Sequence, residues 1–152
     1  IVLQPWINVR DIFLEEDLWH DGLMGFDPNV CSGCAGTSAF YRCKECQGGE
    51  LLCQPCMVST HKRNGLHQIE VGNTFFNGVF FEFSTLKSLG FRFQLGHKLG
   101  AVCPDPKPST EDDFIVIHIN GIHEVSVDYC GCYEREERVI QVLKYGWFPA
   151  TP

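Results

Sequence analysis

Three Cys-x-x-Cys pairs in quick succession constrain this chain more than any other feature. They are Cys31/Cys34, Cys43/Cys46 and Cys53/Cys56, and His61 and His67 follow them. Two thiols at that spacing grip one tetrahedral zinc ion from a single tight turn. The chain has 9 cysteines in 152 residues, an odd number that would leave a thiol over in a pure disulfide framework. Reducing compartments keep such pairs as thiols, so zinc is expected rather than disulfides. The eight donors suffice for two closed sites. A sequential filling joins Cys31, Cys34, Cys43 and Cys46, then Cys53, Cys56, His61 and His67. An interleaved filling joins Cys31, Cys34, Cys53 and Cys56 at one ion, and Cys43, Cys46, His61 and His67 at the other. Spacing alone permits both. Either way four protein ligands close the site, leaving no position for water or substrate, which points to a structural rather than a catalytic ion.

Cys103, Cys130 and Cys132 remain. A Cys-x-Cys at a strand end turns both thiols to one face, because side chains alternate with period two. Gly131 between them lets the backbone bend. With no cysteine left, the fourth ligand of a third site must be a histidine. His97 sits in a glycine-flanked loop before Cys103. His123, the alternative, has odd parity relative to Cys130 and Cys132 and should point away from them. His97 is therefore the expected fourth ligand, and three zinc ions are expected in all.

Composition narrows the rest. At 44% hydrophobic and 20% charged, the chain is not a disordered tail. Its apolar runs, such as Phe114–Ile117, are too short to span a bilayer, so no membrane partner is expected. It opens on Ile1 with no secretory leader and reads as a piece of a longer protein. The formal charge of −7 disfavours nucleic-acid phosphates as a partner, and loading nine thiolates with three Zn²⁺ would take it to about −10. The acid lies in residues 1–30 and 109–152. The middle is mildly basic, and Arg42, Lys44, Lys62, Arg63, Lys87, Arg92, Lys98 and Lys107 are the candidate DNA contacts. Asp112, Asp113, Glu134, Glu136 and Glu137 read as a solvated strand entry and a helix start, not as catalytic carboxylates.

Local patterns predict a helix over 8–20 with Val9, Ile12, Phe13 and Leu18 on one face. Strands are expected over 39–43, 67–71, 91–95 and 74–83, the last bent at Asn77-Gly78, and a short helix over 54–62. Ser84 should cap a helical turn over 85–89, and residues 104–110 read as a proline-rich loop. Asn120-Gly121 predicts a type I′ hairpin that pairs Ile119 with Ile122 and His118 with His123. The two histidines then form a core or edge pair, and His20 a surface residue. A last helix over 134–144 should turn Val139, Ile140 and Leu143 inward. Trp6, Trp19, Phe75, Phe76, Phe80, Phe81, Phe83 and Trp147 are read as core.

The run CSGC, YRCKEC, LLCQPC and His61…His67 resembles ZZ and B-box zinc fingers. That similarity implies their interleaved cross-brace. More broadly, YRCKEC…LLCQPC…LHQIE, LKSLGFRFQLGHKLGAVCPDP, DFIVIHINGIHEVSVDYCGC and QVLKYGWFPATP resemble the CxC2-like cysteine-cluster domain associated with fungal KDZ transposases, over most of residues 31–152. The resemblance places Cys103, Cys130 and Cys132 on the family's second-half cysteines and His97 on its LGH histidine. It implies a zinc chelator beside a transposase catalytic region that this chain lacks, and a nuclear setting. The expected fold is a small α+β zinc domain. A helical arm (1–30), a cross-brace module with two zincs (31–73) and a β-hairpin-rich half with a third zinc and a C-terminal helix (74–152) pack as one unit. The expected role is non-catalytic. Its partners would be the rest of the parent transposase, histone or other protein peptides, or, alternatively, DNA at transposon ends or target sites.

Overall fold

The computed structural model describes residues 4–75, 78–109 and 114–150. The chain divides into two compact units, Ile1–Met57 with Gln68–Ser84, and Val58–His67 with Thr85–Pro152.

The first unit opens with α1 (Gln4–Ile7) and α2 (Arg10–Asp21). The apolar stripe expected to anchor α2 does not do so. No α2 residue is buried, and Ile12 and Leu18 are 60% and 62% exposed. Trp6 and Trp19 are likewise exposed rather than core, with Trp6 lying against Phe13. The helix is held instead at its C-terminal end, where carbonyls lack helical partners. Arg42 donates to the carbonyls of His20 and Gly22 at 3.0 and 2.8 Å.

A three-stranded antiparallel sheet follows, in the order β1 (Tyr41–Cys43), β2 (Ile69–Phe75), β3 (Gly78–Ser84). Tyr41 pairs with Val71 and Cys43 with Ile69. The bent strand expected over 74–83 is a hairpin. β2 runs to Phe75 and β3 returns from Gly78, with Phe75 opposite Gly78, so the two are separate antiparallel strands rather than one bent one. Asn77 and Phe76 lie outside the described residues, as does the Phe75 side chain. Phe80 and Phe83 are exposed rather than core, while Phe81 is half-buried beneath the Arg42 guanidinium, 3.7 Å from its ring centre. The core here is Cys31, Ala39, Cys43, Leu51, Leu52, Met57 and Ile69. Met57 lies on α3 (Gln54–Thr60), which begins directly after Cys53.

In the second unit the expected Ser84-capped helical turn is instead a non-helical turn, with Thr85 Oγ1 accepting the Ser88 N–H. A second sheet has the order β4 (Phe93–Gln94), β8 (Val127–Cys130), β5 (Pro106–Pro108), with β4 parallel and β5 antiparallel to β8. β5 arises inside the stretch read as a proline-rich loop. At a sheet edge a proline need donate nothing outward, so two of them are tolerated.

The third sheet is the hairpin β6 (Phe114–His118), β7 (Gly121–Val125). Its register differs by two residues from the expected one. His118 faces Gly121, Ile117 faces Ile122 and Val116 faces His123. Asn120 does not take the positive φ that a type I′ turn demands. Its side chain is committed elsewhere, with Oδ1 at 2.5 and 2.9 Å from ring nitrogens of His118 and His123 and Nδ2 donating to the Leu66 carbonyl. A two-residue shift preserves which face each side chain occupies, so the two histidines still share a side, as diagonal rather than facing neighbours.

The last helix, α4 (Arg138–Lys144), is rotated from expectation. Gln141 and Val142 are buried, whereas Val139, Ile140 and Leu143 remain partly exposed. Trp147 is half-buried, edge-on to Phe93 and Tyr145.

Candidate metal centres

The structure gathers three groups of four donors. In each, the ligand atoms all lie within 4.8 Å of one another: Cys31, Cys34, Cys53 and Cys56; Cys43, Cys46, His61 and His67; and His97, Cys103, Cys130 and Cys132. The grouping is the interleaved one.

At the first group the chain turns tightly around Cys31. Its carbonyl accepts the Ala35 N–H and its N–H donates to Gly36. Ala35 takes a left-handed φ of 55° to close the turn. The Cys53 N–H donates to Cys31 Sγ at 3.2 Å, and Cys34 and Cys53 Sγ are 3.8 Å apart. A side chain at position 33 would press on Cys56, with Cβ 3.2 Å from its Sγ, so glycine there lets the second pair approach.

In the second group Cys43 ends β1, and Glu45 Oε2 lies 3.8 Å from its Sγ while accepting the Gln68 N–H at 2.7 Å. His61 and His67 flank a turn in which Asn64 bonds both of their backbones, and their ring centres are 5.4 Å apart. Thr60 Oγ1 sits 3.1 Å from His61 Nδ1, a contact that fixes the orientation of the ring.

In the third group Cys103 and Cys132 Sγ are 3.8 Å apart, and Cys132 Sγ is 3.8 Å from His97 Nε2. The Gly131 N–H donates to the Asp105 carbonyl, and a Cβ on Gly131 would lie 2.7 Å from that oxygen. Close backbone approach is thus what glycine allows between the two thiols. His123 is bonded to Asn120 instead of joining this group.

The donor sets fit a tetrahedral ion. With metal–sulfur bonds of about 2.3 Å, the edge between two thiolates is about 3.8 Å, the separation seen in the first and third groups. A disulfide needs about 2.05 Å, and all nine cysteines are free. The thiols also show why a cation belongs there. Burial opposes ionisation of Cys31, but backbone N–H groups of Cys53, Cys34 and Gly33 outweigh it and bring its pKa down to about 6. Its neighbour Cys56 is then pushed up to about 12, first by the thiols of Cys53 and Cys34. Cys43 is pushed up to about 12 chiefly by burial. Cys103 is lowered by the backbone N–H groups of Asp105 and Gly131 against its burial, and Cys132 is raised to about 11 by Cys130. Crowded sulfurs cannot all ionise without added positive charge, which a divalent ion supplies.

The candidate DNA contacts are largely engaged within the chain. Arg42 and Lys44 pair with Glu70, Lys87 with Glu124, Arg92 with Asp128 and Lys107 with Asp105. Lys62, Arg63 and Lys98 are exposed and, among the described residues, make no ion pair. Asp112 and Asp113 lie outside the described residues. Sequence reasoning missed Gln141, which bonds both backbone groups of Cys130, and Glu45. Neither carries a local signal, since a glutamine on an apolar helix face and an acid two residues after a cysteine are both common on surfaces.

Residues 86–152 match the family described as CxC2 like cysteine cluster associated with KDZ transposases. The matched segment contains all four donors of the third group and none of the first two. Neither the curated proteins nor the solved structures contain a match to the chain.

Proposed function

We propose that this chain is a non-catalytic zinc module of a KDZ-type transposase, folded around three structural ions and working by protein contact. The observation that carries the metal reading is the convergence of three complete four-donor sets of cysteine and histidine. Each is closed by protein ligands, so zinc there braces the chain and opens no position for substrate. The family that residues 86–152 match is described as a cysteine cluster associated with KDZ transposases, which supports a module accompanying the catalytic region.

Two features favour a protein partner over DNA. Five of the eight candidate cations are paired with carboxylates of the chain, so a phosphate would have to break those pairs. The arm instead presents apolar side chains, Ile12, Phe13, Leu14, Leu18 and Trp19, beside Glu15, Glu16 and Asp17. An apolar, acidic surface suits a basic protein segment, such as a histone tail, or another chain of the transposase. A nuclear location follows from that setting.

The test is binding of the zinc-loaded chain to histone-tail peptides and, in parallel, to duplex and single-stranded DNA across a salt series. Peptide binding lost in Leu18→Asp, with no DNA binding at low salt, is the expected result. DNA affinity falling linearly in log–log form with salt, and abolished by charge reversal at Lys62, Arg63 and Lys98, would replace this reading with a DNA-contacting one.

A further inference from the structure

We propose that Gln141 is the positioning residue of the third centre. Its buried amide stands in for a missing strand beside Cys130 and fixes where Cys130 and His97 meet the ion. The inference rests on the reading that this group binds metal.

Cys130 is the last residue of β8, and neither flank offers it a regular ladder. On the β5 side Cys130 faces Pro106 between the ladder bonds, which run from the Gly131 N–H to the Asp105 carbonyl and from the Ser109 N–H to the Val127 carbonyl, so its own N–H and carbonyl point to the opposite flank. On the other side Phe93 faces Val127 and Gln94 faces Asp128, a register that brings Gly96 to Cys130. There the chain turns away, with Gly96 at φ +76°.

Gln141 supplies what the strands do not. Its Oε1 accepts the Cys130 N–H at 2.8 Å, and its Nε2 donates to the Cys130 carbonyl at 3.3 Å and to the Glu136 carbonyl at 2.8 Å. A carboxamide carries an acceptor and a donor side by side, as a strand backbone does, and here both amide hydrogens are used. The residue is 1% exposed, so each of these bonds is made out of water, where an unmade one is expensive.

The same amide fills the space at Gly96. A Cβ there would lie 2.6 Å from Cys130 Cβ and 2.7 Å from Gln141 Oε1. The residue after Gly96 is the ligand His97. One side chain therefore contacts the backbone of one ligand and packs against the glycine that leads into another. This also accounts for the rotation of α4, which leaves Val139, Ile140 and Leu143 partly exposed in order to bury a glutamine.

The experiment titrates Co²⁺ into the metal-free full chain, reading thiolate-to-cobalt absorption, with ions counted by native mass spectrometry. The wild type is compared with Gln141→Leu and Gln141→Glu. Leucine removes all three hydrogen bonds at similar volume. Glutamate keeps the acceptor for the Cys130 N–H but turns an anion toward two carbonyls. The expected result is a third equivalent weakened by about 10- to 100-fold, with the first two unchanged and far-ultraviolet circular dichroism of the loaded chain preserved. Three ions bound with wild-type affinity in both variants would overturn the proposal. Should Gln141→Leu lose all three ions together, Gln141→Glu decides. Selective loss of the third supports positioning, and uniform loss or no change overturns it. A wild type that takes only two ions would instead refute the metal reading of the third group.

Discussion

Gly65 sits between the two histidines of the second group, and replacing it with alanine should damage that group without touching a ligand. An added Cβ would lie 2.5 Å from both Phe91 Cε1 and Phe93 Cζ, whereas carbon atoms pack at about 3.5–4.0 Å. Something must retreat by about 1 Å. The rings have nowhere to go, because Phe91 and Phe93 are buried edge-to-face with centres 4.8 Å apart and Phe93 abuts Trp147 at 4.9 Å. The turn that carries His61 and His67 must then yield. Overpacking of this kind costs about 1–3 kcal/mol. If the loaded state bears all of it, metal affinity at that group falls roughly 5- to 150-fold. Competition against a chromophoric chelator reads the loss directly, with thermal melting of the loaded chain as a second measure. An unchanged melting temperature together with unchanged affinity would refute the packing of this turn against Phe91 and Phe93.

Arg42→Ala removes the pair with Glu70, in which both side chains are only 13% and 14% exposed, along with the bonds to the end of α2. A loss of about 1.5–3 kcal/mol in chemical denaturation is expected, with faster hydrogen exchange in residues 10–22 and no change in any DNA affinity. Asn120→Ala should destabilise by about 1–2 kcal/mol and raise exchange in β6 and β7, because it cuts the bonds to His118, His123 and Leu66. Protection unchanged in that hairpin would argue against the anchor. Acid should strip the metal. Cys31 is lowered from 9.0 to about 6, so its contribution is complete above its unfolded value and is lost as pH falls through about 6. The raised thiols Cys43 and Cys56 are held ionised only by the ion, so their reprotonation adds to release. Zinc content and melting temperature should fall together between about pH 9 and pH 6, and a flat profile would contradict this.

The three four-donor groups were legible because ligand chemistry is local. Cys-x-x-Cys sets two thiols on one turn. Strand parity favours His97 over His123, but what keeps His123 out of the third group is a change of sheet: it lies on β7 beside Asn120, whereas Cys130 ends β8 in another sheet. What stayed hidden depends on partners far along the chain. Pro106 and Pro108 read as loop because their partner, Asp128-Tyr129-Cys130, supplies the evidence for a strand. The α4 periodicity favoured Val139, Ile140 and Leu143, and was overridden by the hydrogen bonds that Cys130 offers to Gln141. The hairpin register followed the Asn-Gly turn rule until the carbonyl of Leu66 claimed the Asn120 side chain. Hydrophobicity alone turns the aromatics Trp6, Trp19, Phe80 and Phe83 inward, whereas the chain leaves them exposed.

We propose that metal holds this chain in its fold. Structural zinc contributes about 10–16 kcal/mol per site in small zinc-binding peptides, comparable to or larger than the net stability of a whole domain, about 5–15 kcal/mol. Native mass spectrometry of the zinc-loaded chain, followed by near-ultraviolet circular dichroism after a strong chelator, measures this directly. Three zinc ions per chain are expected, with loss of the tertiary signal and of cooperative melting once they are removed. A metal-free chain that melts cooperatively at the same temperature would contradict it.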